Sequence, residues 1–135
     1  MRTLLVALAA GSWLLISATA GACGACIEDK VAATYDHAVI DRAIASQRQV
    51  VFVAIEGPSN AEKVIAQIVA AAPKVRGVQP GSVRTSTAPP AFSFVLERGQ
   101  DPRAAVSAFR KGVTGQETQL VAIRLVRDGV LRELD

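Results

Sequence analysis

At 135 residues, half of them hydrophobic, the chain is long enough for one domain and too apolar for a disordered protein. Fifteen basic residues stand against twelve acidic ones, a formal net charge of +3. The basic residues are scattered, with no cluster and no aromatic interleaving, so no nucleic-acid partner is expected.

Residues 1–22 read as a secretory signal peptide. Arg2 supplies the positive n-region, Leu4 to Ile16 an apolar h-region, and Ala18-Thr19-Ala20 the small-x-small cleavage pattern. Removing this leader takes away Trp13, the only tryptophan, and leaves a charge of about +2. The expected location is therefore outside the cytoplasm, in the periplasm of a bacterial envelope. Ala20-Gly21-Ala22-Cys23 loosely resembles a lipobox, with Ala20 in place of the usual leucine, so a lipoprotein tethered through Cys23 is the competing outcome. Membrane contact is expected only in that case, since the apolar run is short for a span.

Both cysteines lie in Cys23-Gly24-Ala25-Cys26, just beyond the leader. Residues 23–49 form a preface to the main domain, and from Ile27 to about Gln47 the segment predicts one helix, with good helix formers and neither Gly nor Pro. At about 100° per residue, Ile27, Val31, Thr34, Ala38 and Ala45 share one stripe, with Cys26, Lys30, Ala33, His37, Ile40 and Ile44 on the next. Glu28 and Asp29 fall in the first turn, where acidic side chains complement the positive helix end. Cys26 is thus placed at a helix N-terminus.

Val50 to Ile55 is a continuous apolar run rich in β-branched residues, the pattern of a buried central strand. Gly57-Pro58 breaks it. Ser59-Asn60-Ala61-Glu62 has capping-box form with Ser59 as N-cap, and Ala61, Val64, Ile65, Ile68, Val69 and Ala72 then recur at helical spacing up to Pro73. Lys74 to Val78 and Ser82 to Thr87 read as extended around Gln79-Pro80-Gly81, and Ala91 to Leu96 as a further strand. Asp101-Pro102 starts a helix that runs to about Gly112, Gln119 to Arg127 is the last strand, and Asp128-Gly129 is a hairpin-type turn before a short tail.

The order after the first helix is β-α-β-β-α-β. It predicts an α+β, ferredoxin-like βαββαβ sandwich over residues 50–135, with two helices on one sheet face and the N-terminal helix as an addition. The runs VVFVAIEGPSNAEKVIAQIVAAAPKVRGVQPGSV (50–83) and AFSFVLERGQDPRAAVSAFRKGV (91–113) resemble a heavy-metal-associated domain of the copper-chaperone and metal-ATPase type. The resemblance covers residues 50 to 127 and rests on element order, Gly57, Gly77-Val78 and Asp101-Pro102. It implies handling of Cu(I) or a related soft ion. That family carries its Cys-x-x-Cys in the loop after the first strand, whereas this chain has Gly57-Pro58-Ser59-Asn60-Ala61-Glu62 there, so metal binding does not transfer to the loop.

Any thiolate site must instead use Cys23 and Cys26. Two soft sulfurs suit near-linear Cu(I), while tetrahedral zinc needs more ligands. His37, the sole histidine, is the candidate third ligand. In an unbroken helix it lies roughly 16 Å along the axis from Cys26, too far for one ion, so it joins only if the helix breaks or another subunit supplies it. The alternatives are a structural or redox-active cysteine pair in a non-catalytic envelope protein that uses its sheet to contact a partner protein. A disulfide closing so few residues would stabilise by only roughly 2 kcal/mol. Asp36, His37 and Asp41 hint at a triad fragment, and Ser59, Ser82, Ser86 and Ser93 carry hydroxyls, but no nucleophile-elbow or phosphate-loop pattern surrounds them. No enzyme is expected beyond thiol-disulfide exchange.

Overall fold

The structure is a computed structural model describing residues 26–58 and 60–134; the leader, Cys23 and the Ser59 cap position lie outside the described residues. The protein is α+β, and the described residues form ten elements in the order α1 (Ile27–Thr34), α2 (His37–Ala45), β1 (Gln49–Glu56), α3 (Ala61–Ala71), a 3-10 turn (Ala72–Lys74), β2 (Arg84–Thr87), β3 (Pro90–Leu96), α4 (Pro102–Lys111), β4 (Gln119–Arg127) and β5 (Val130–Glu133). The strands form one antiparallel sheet in the order β2-β3-β1-β4-β5. Its first four members follow the order of the expected split βαβ sandwich, and β5 is added at the β4 edge.

Strand β1 sits at the centre, and all of its residues except Glu56 are buried. Because successive side chains point to opposite faces, this run demands cover on both sides. On one face Val51, Val53 and Ile55 meet Val64, Ile68 and Ala71 of α3 and Ala105, Val106 and Phe109 of α4. Phe92, Phe94 and Phe109 cluster here with ring centroids 4.9–5.9 Å apart. On the other face Val50, Phe52 and Ala54 meet Val31 of α1 and Val39, Ile40 and Ala43 of α2. The added N-terminal segment therefore covers the face that a bare sandwich leaves open.

Four local expectations are corrected. The predicted single helix over 27–47 is two helices broken at Tyr35-Asp36, both of which have extended backbone. The cap of α3 is Asn60, whose side chain accepts from the Lys63 amide at 3.0 Å, one residue after the expected Ser59. The stretch from Lys74 to Val78 makes no strand, because the 3-10 turn containing Pro73 carries the chain onward and only Val78 forms a bridge, to Leu96. The tail after Asp128-Gly129 is strand β5: Asp128 (φ 54°) and Gly129 (φ 75°) are both left-handed, the turn geometry whose twist matches a two-residue hairpin.

Helix α4 begins as the sequence indicates, with Pro102 at its first position and Asp101 accepting from the Arg103 amide at 3.1 Å. Strand β4 covers Gln119 to Arg127 as expected, but its register against β1 shifts between Phe52 and Val53, whose partners are Arg124 and Ala122. The residue left over, Ile123, makes a bulge. Ile123 consequently packs with the α1 and α2 core instead of sharing a face with Leu125, which packs with α3 and α4.

Phe109 is fully buried. Phe109→Ala is expected to lower the unfolding free energy by about 3–5 kcal/mol in urea titration. Val69→Ala, on the outer face of α3 at a residue 52% exposed, should change it by no more than about 0.5 kcal/mol.

Candidate functional site

Cys26 is the N-cap of α1 and its side chain is exposed. The thiol donates to Asp29 Oδ2 at 3.1 Å, and the Cys26 carbonyl accepts from the amides of Asp29 and Lys30. Cys23 lies outside the described residues. Among the described residues, no three Cys, His, Asp or Glu side chains gather where they could share a metal ion. A complete site would thus need Cys23.

Helix α1 has weak intrinsic anchors, being eight residues long and exposed on most of its surface, so its position depends on side-chain pairing. Lys30, buried within it, reaches Glu56 Oε1 at 2.6 Å. Glu56 is the last residue of β1, immediately before Gly57. The same turn of helix that follows Cys26 is thereby docked at the strand end from which the 57–60 loop departs, roughly 6 Å of helical rise beyond Cys26. Glu28 accepts from Arg124 at 3.1 Å, and Arg124 also contacts Glu133 of β5 at 3.4 Å. The β4 bulge at Ile123 sets the pairing of Arg124 with Phe52, on the side of the sheet that α1 covers.

The break between α1 and α2 is held by five contacts. Ser93 Oγ donates to the Thr34 carbonyl at 2.9 Å in the interior. Asp36 caps α2 by accepting from the Val39 amide at 3.2 Å and takes Arg84 of β2 on its other oxygen at 2.8 Å. Tyr35 stacks on Phe52 with centroids 6.1 Å apart, and His37 meets Tyr35 edge-on at 4.8 Å. The Arg84 hydrogen bond, aided by the Val39 amide and opposed by burial, holds the Asp36 carboxyl below its ordinary pKa of 3.8.

With the helix broken at Tyr35-Asp36, His37 lines a groove of about 480 Å³ together with Glu28, Val31, Ala32, Tyr35, Arg124 and Leu131. Glu28 is two residues from Cys26. The unbroken helix on which the roughly 16 Å separation rests is interrupted at Tyr35-Asp36. Structure brings His37 to the groove beside the first turn of α1; it does not place it against Cys26 in a closed cluster.

Sequence reasoning missed Lys30, Tyr35, Asp36, Arg84 and Arg124 as positioning residues. For Asp36 a signal was present: an N-cap residue standing before the amphipathic run His37 to Ala45, with apolar positions shifting from 27 and 31 to 39, 40 and 43. The cross-sheet partners Arg84 and Arg124 carry no local signal. Comparison of the chain with protein-family models, with curated proteins and with solved structures gave no match.

The depressed Asp36 carboxyl favours folding above the unfolded-state pKa, and that contribution disappears as pH falls through the lower folded-state value. Asp36→Asn keeps a good cap but loses the ion pair with Arg84. It should therefore be less stable than the parent protein near neutrality, with the difference shrinking below about pH 4. Thermal melts of both proteins across that range give the comparison; a gap that stays constant with pH would show that the ion pair contributes nothing.

Proposed function

We propose that the protein is an exported metal-binding or metal-trafficking protein of the bacterial envelope, taking a soft ion of the Cu(I) type through Cys23 and Cys26, with His37 as a third ligand. The observation that supports this reading is the break at Tyr35-Asp36, after which His37 lines the same groove as Glu28, two residues beyond an exposed Cys26 thiol. The chemistry fits. Thiolates separated by two small residues can converge on one soft ion, and an imidazole completes a three-coordinate set that two-coordinate Cu(I) does not require. Lys30–Glu56 adds to the case, since it docks the helix bearing Cys26 at the end of β1, beside the loop where the resembled heavy-metal-associated domains carry their own cysteines.

In this reading the carrier fold is retained while the thiolates arrive from the preface. The Cys26 thiol already donates to Asp29, so binding would replace a proton shared with a carboxylate by a cation near it. That exchange makes uptake favoured by rising pH, as thiol ligands must lose their protons.

Reduced, signal-processed protein is expected to take up one Cu(I) per chain in competition with a chromogenic chelator. Cys23→Ser/Cys26→Ser should abolish uptake, and His37→Ala should weaken it without abolishing it. Undiminished uptake by the double variant rejects the site, and equal affinity of His37→Ala removes His37 from it. Mass spectrometry of the mature N-terminus supplies an independent check: a diacylglyceryl group on Cys23 would take that sulfur out of metal binding and leave a tethered lipoprotein.

A further inference from the structure

We propose that β5 is a self-association edge, through which two copies of this chain pair β5 antiparallel to β5 with Leu131 opposite Leu131 of the second copy. The backbone supplies the first reason. Arg127 and Val130 flank the two-residue Asp128-Gly129 turn and pair across it, and such a flanking pair exchanges both of its hydrogen bonds. Alternation then directs the N–H and C=O groups of Val130 and Arg132 toward β4, and those of Leu131 and Glu133 away from the sheet. Among the described residues β5 is the terminal strand in the sheet order, so there these outward groups form an unpaired ladder.

The two edges of the sheet are built differently. β2 presents Arg84, Thr85, Ser86 and Thr87 and runs directly into Ala88-Pro89-Pro90, polar side chains and prolines of the kind that discourage strand addition. β5 has no proline and no lysine, and it exposes Val130 and Leu131 at 50% and 51%. Leu131 also forms a wall of the apolar groove shared with Val31, Ala32 and Tyr35. The exposed apolar side chain and the free ladder are thus continuous.

Charge selects the register. A twofold axis normal to the sheet keeps each face on its own side, so residues set opposite one another must share the same alternation. Two registers satisfy this with more than one residue of β5 opposite β5. One centres on Arg132 opposite Arg132 of the second copy and sets Leu131 against Glu133, placing like charges in direct cross-strand contact, which is destabilising. The other centres on Leu131 opposite its own copy. It sets Val130 against the aliphatic stem of Arg132 and Glu133 against Gly129, which has no side chain, leaving Glu133 with Arg124. That register joins the two apolar grooves across the axis and continues the sheet to ten strands. A four-residue contact buries less than the roughly 1,200 Å² of a stable interface, so the pairing is a weak, concentration-dependent one.

Sedimentation over a concentration series should show the average mass of the reduced protein rising from monomer toward dimer, and Leu131→Lys should remain monomeric with an unchanged thermal melt. A parent protein that stays monomeric throughout, or a Leu131→Lys variant that dimerises equally, overturns the proposal. Register is read in a Cys23→Ser/Cys26→Ser background under mild oxidation. Hydrogen-bonded antiparallel partners have Cα atoms about 5.5 Å apart, within disulfide range. Leu131→Cys should therefore form covalent dimers well above the level of Arg132→Cys and of Lys63→Cys on α3. Linking of Arg132→Cys in preference to Leu131→Cys overturns the register.

Discussion

Two-sided burial of β1 is the constraint on which the rest of the molecule depends. Seven consecutive residues from Gln49 to Ile55 are buried, and their alternating side chains demand an apolar layer above and below the sheet. A βαββαβ unit by itself covers one face with two helices. The other face, where Phe52 is fully buried, has to be closed by something outside that unit. Helices α1 and α2 do this, and the residues before β1 are for that reason part of the fold.

A single straight helix would cross the sheet along one line. Splitting it at Tyr35-Asp36 lets α1 contribute Val31 and α2 contribute Val39, Ile40 and Ala43 to one core. The corner interrupts helical bonding, so backbone groups on either side of its two extended residues need partners. Ser93 meets the Thr34 carbonyl, and Asp36 uses one oxygen for the Val39 amide and the other for Arg84. Position of His37 follows from that arrangement, since it is the first residue of α2 and its ring rests on Tyr35. The candidate ligand is placed by the demands of covering Phe52.

Much of this was legible in the chain. The run Val50 to Ile55 announced a central strand, Asp101-Pro102 announced α4, and the alternation of elements led to an α+β sandwich. What escaped was decided between distant residues. The β4 bulge arises because Phe52 pairs with Arg124 while Val53 pairs with Ala122, and nothing local to Gln119–Arg127 marks it. Strand β5 needed the outer edge of β4 as its template. The cap of α3 moved from Ser59 to Asn60 because both residue types cap well and only the entry path of the chain distinguishes them. For the candidate site, Cys26 and His37 were visible as residue types, but the groove that relates them depends on the corner, which packing against the sheet determines.

Helix α1 is also what connects Cys26 to the sheet. Lys30–Glu56 joins α1 to β1 and Glu28–Arg124 joins it to β4, so the first turn of the helix is held by two strands at once. Exposed ion pairs contribute little, but Lys30 is buried, and withdrawing its partner would leave a charge in the interior. The first turn therefore resists displacement more than its eight-residue helix would alone. A thiol at such a position can change partner, from the Asp29 carboxylate to an ion or to another sulfur, without the fold having to move with it. Under the function proposed above, that separation, a sheet covered on both faces beneath and an exposed thiol at the start of α1, would let an ion leave without the sheet unfolding.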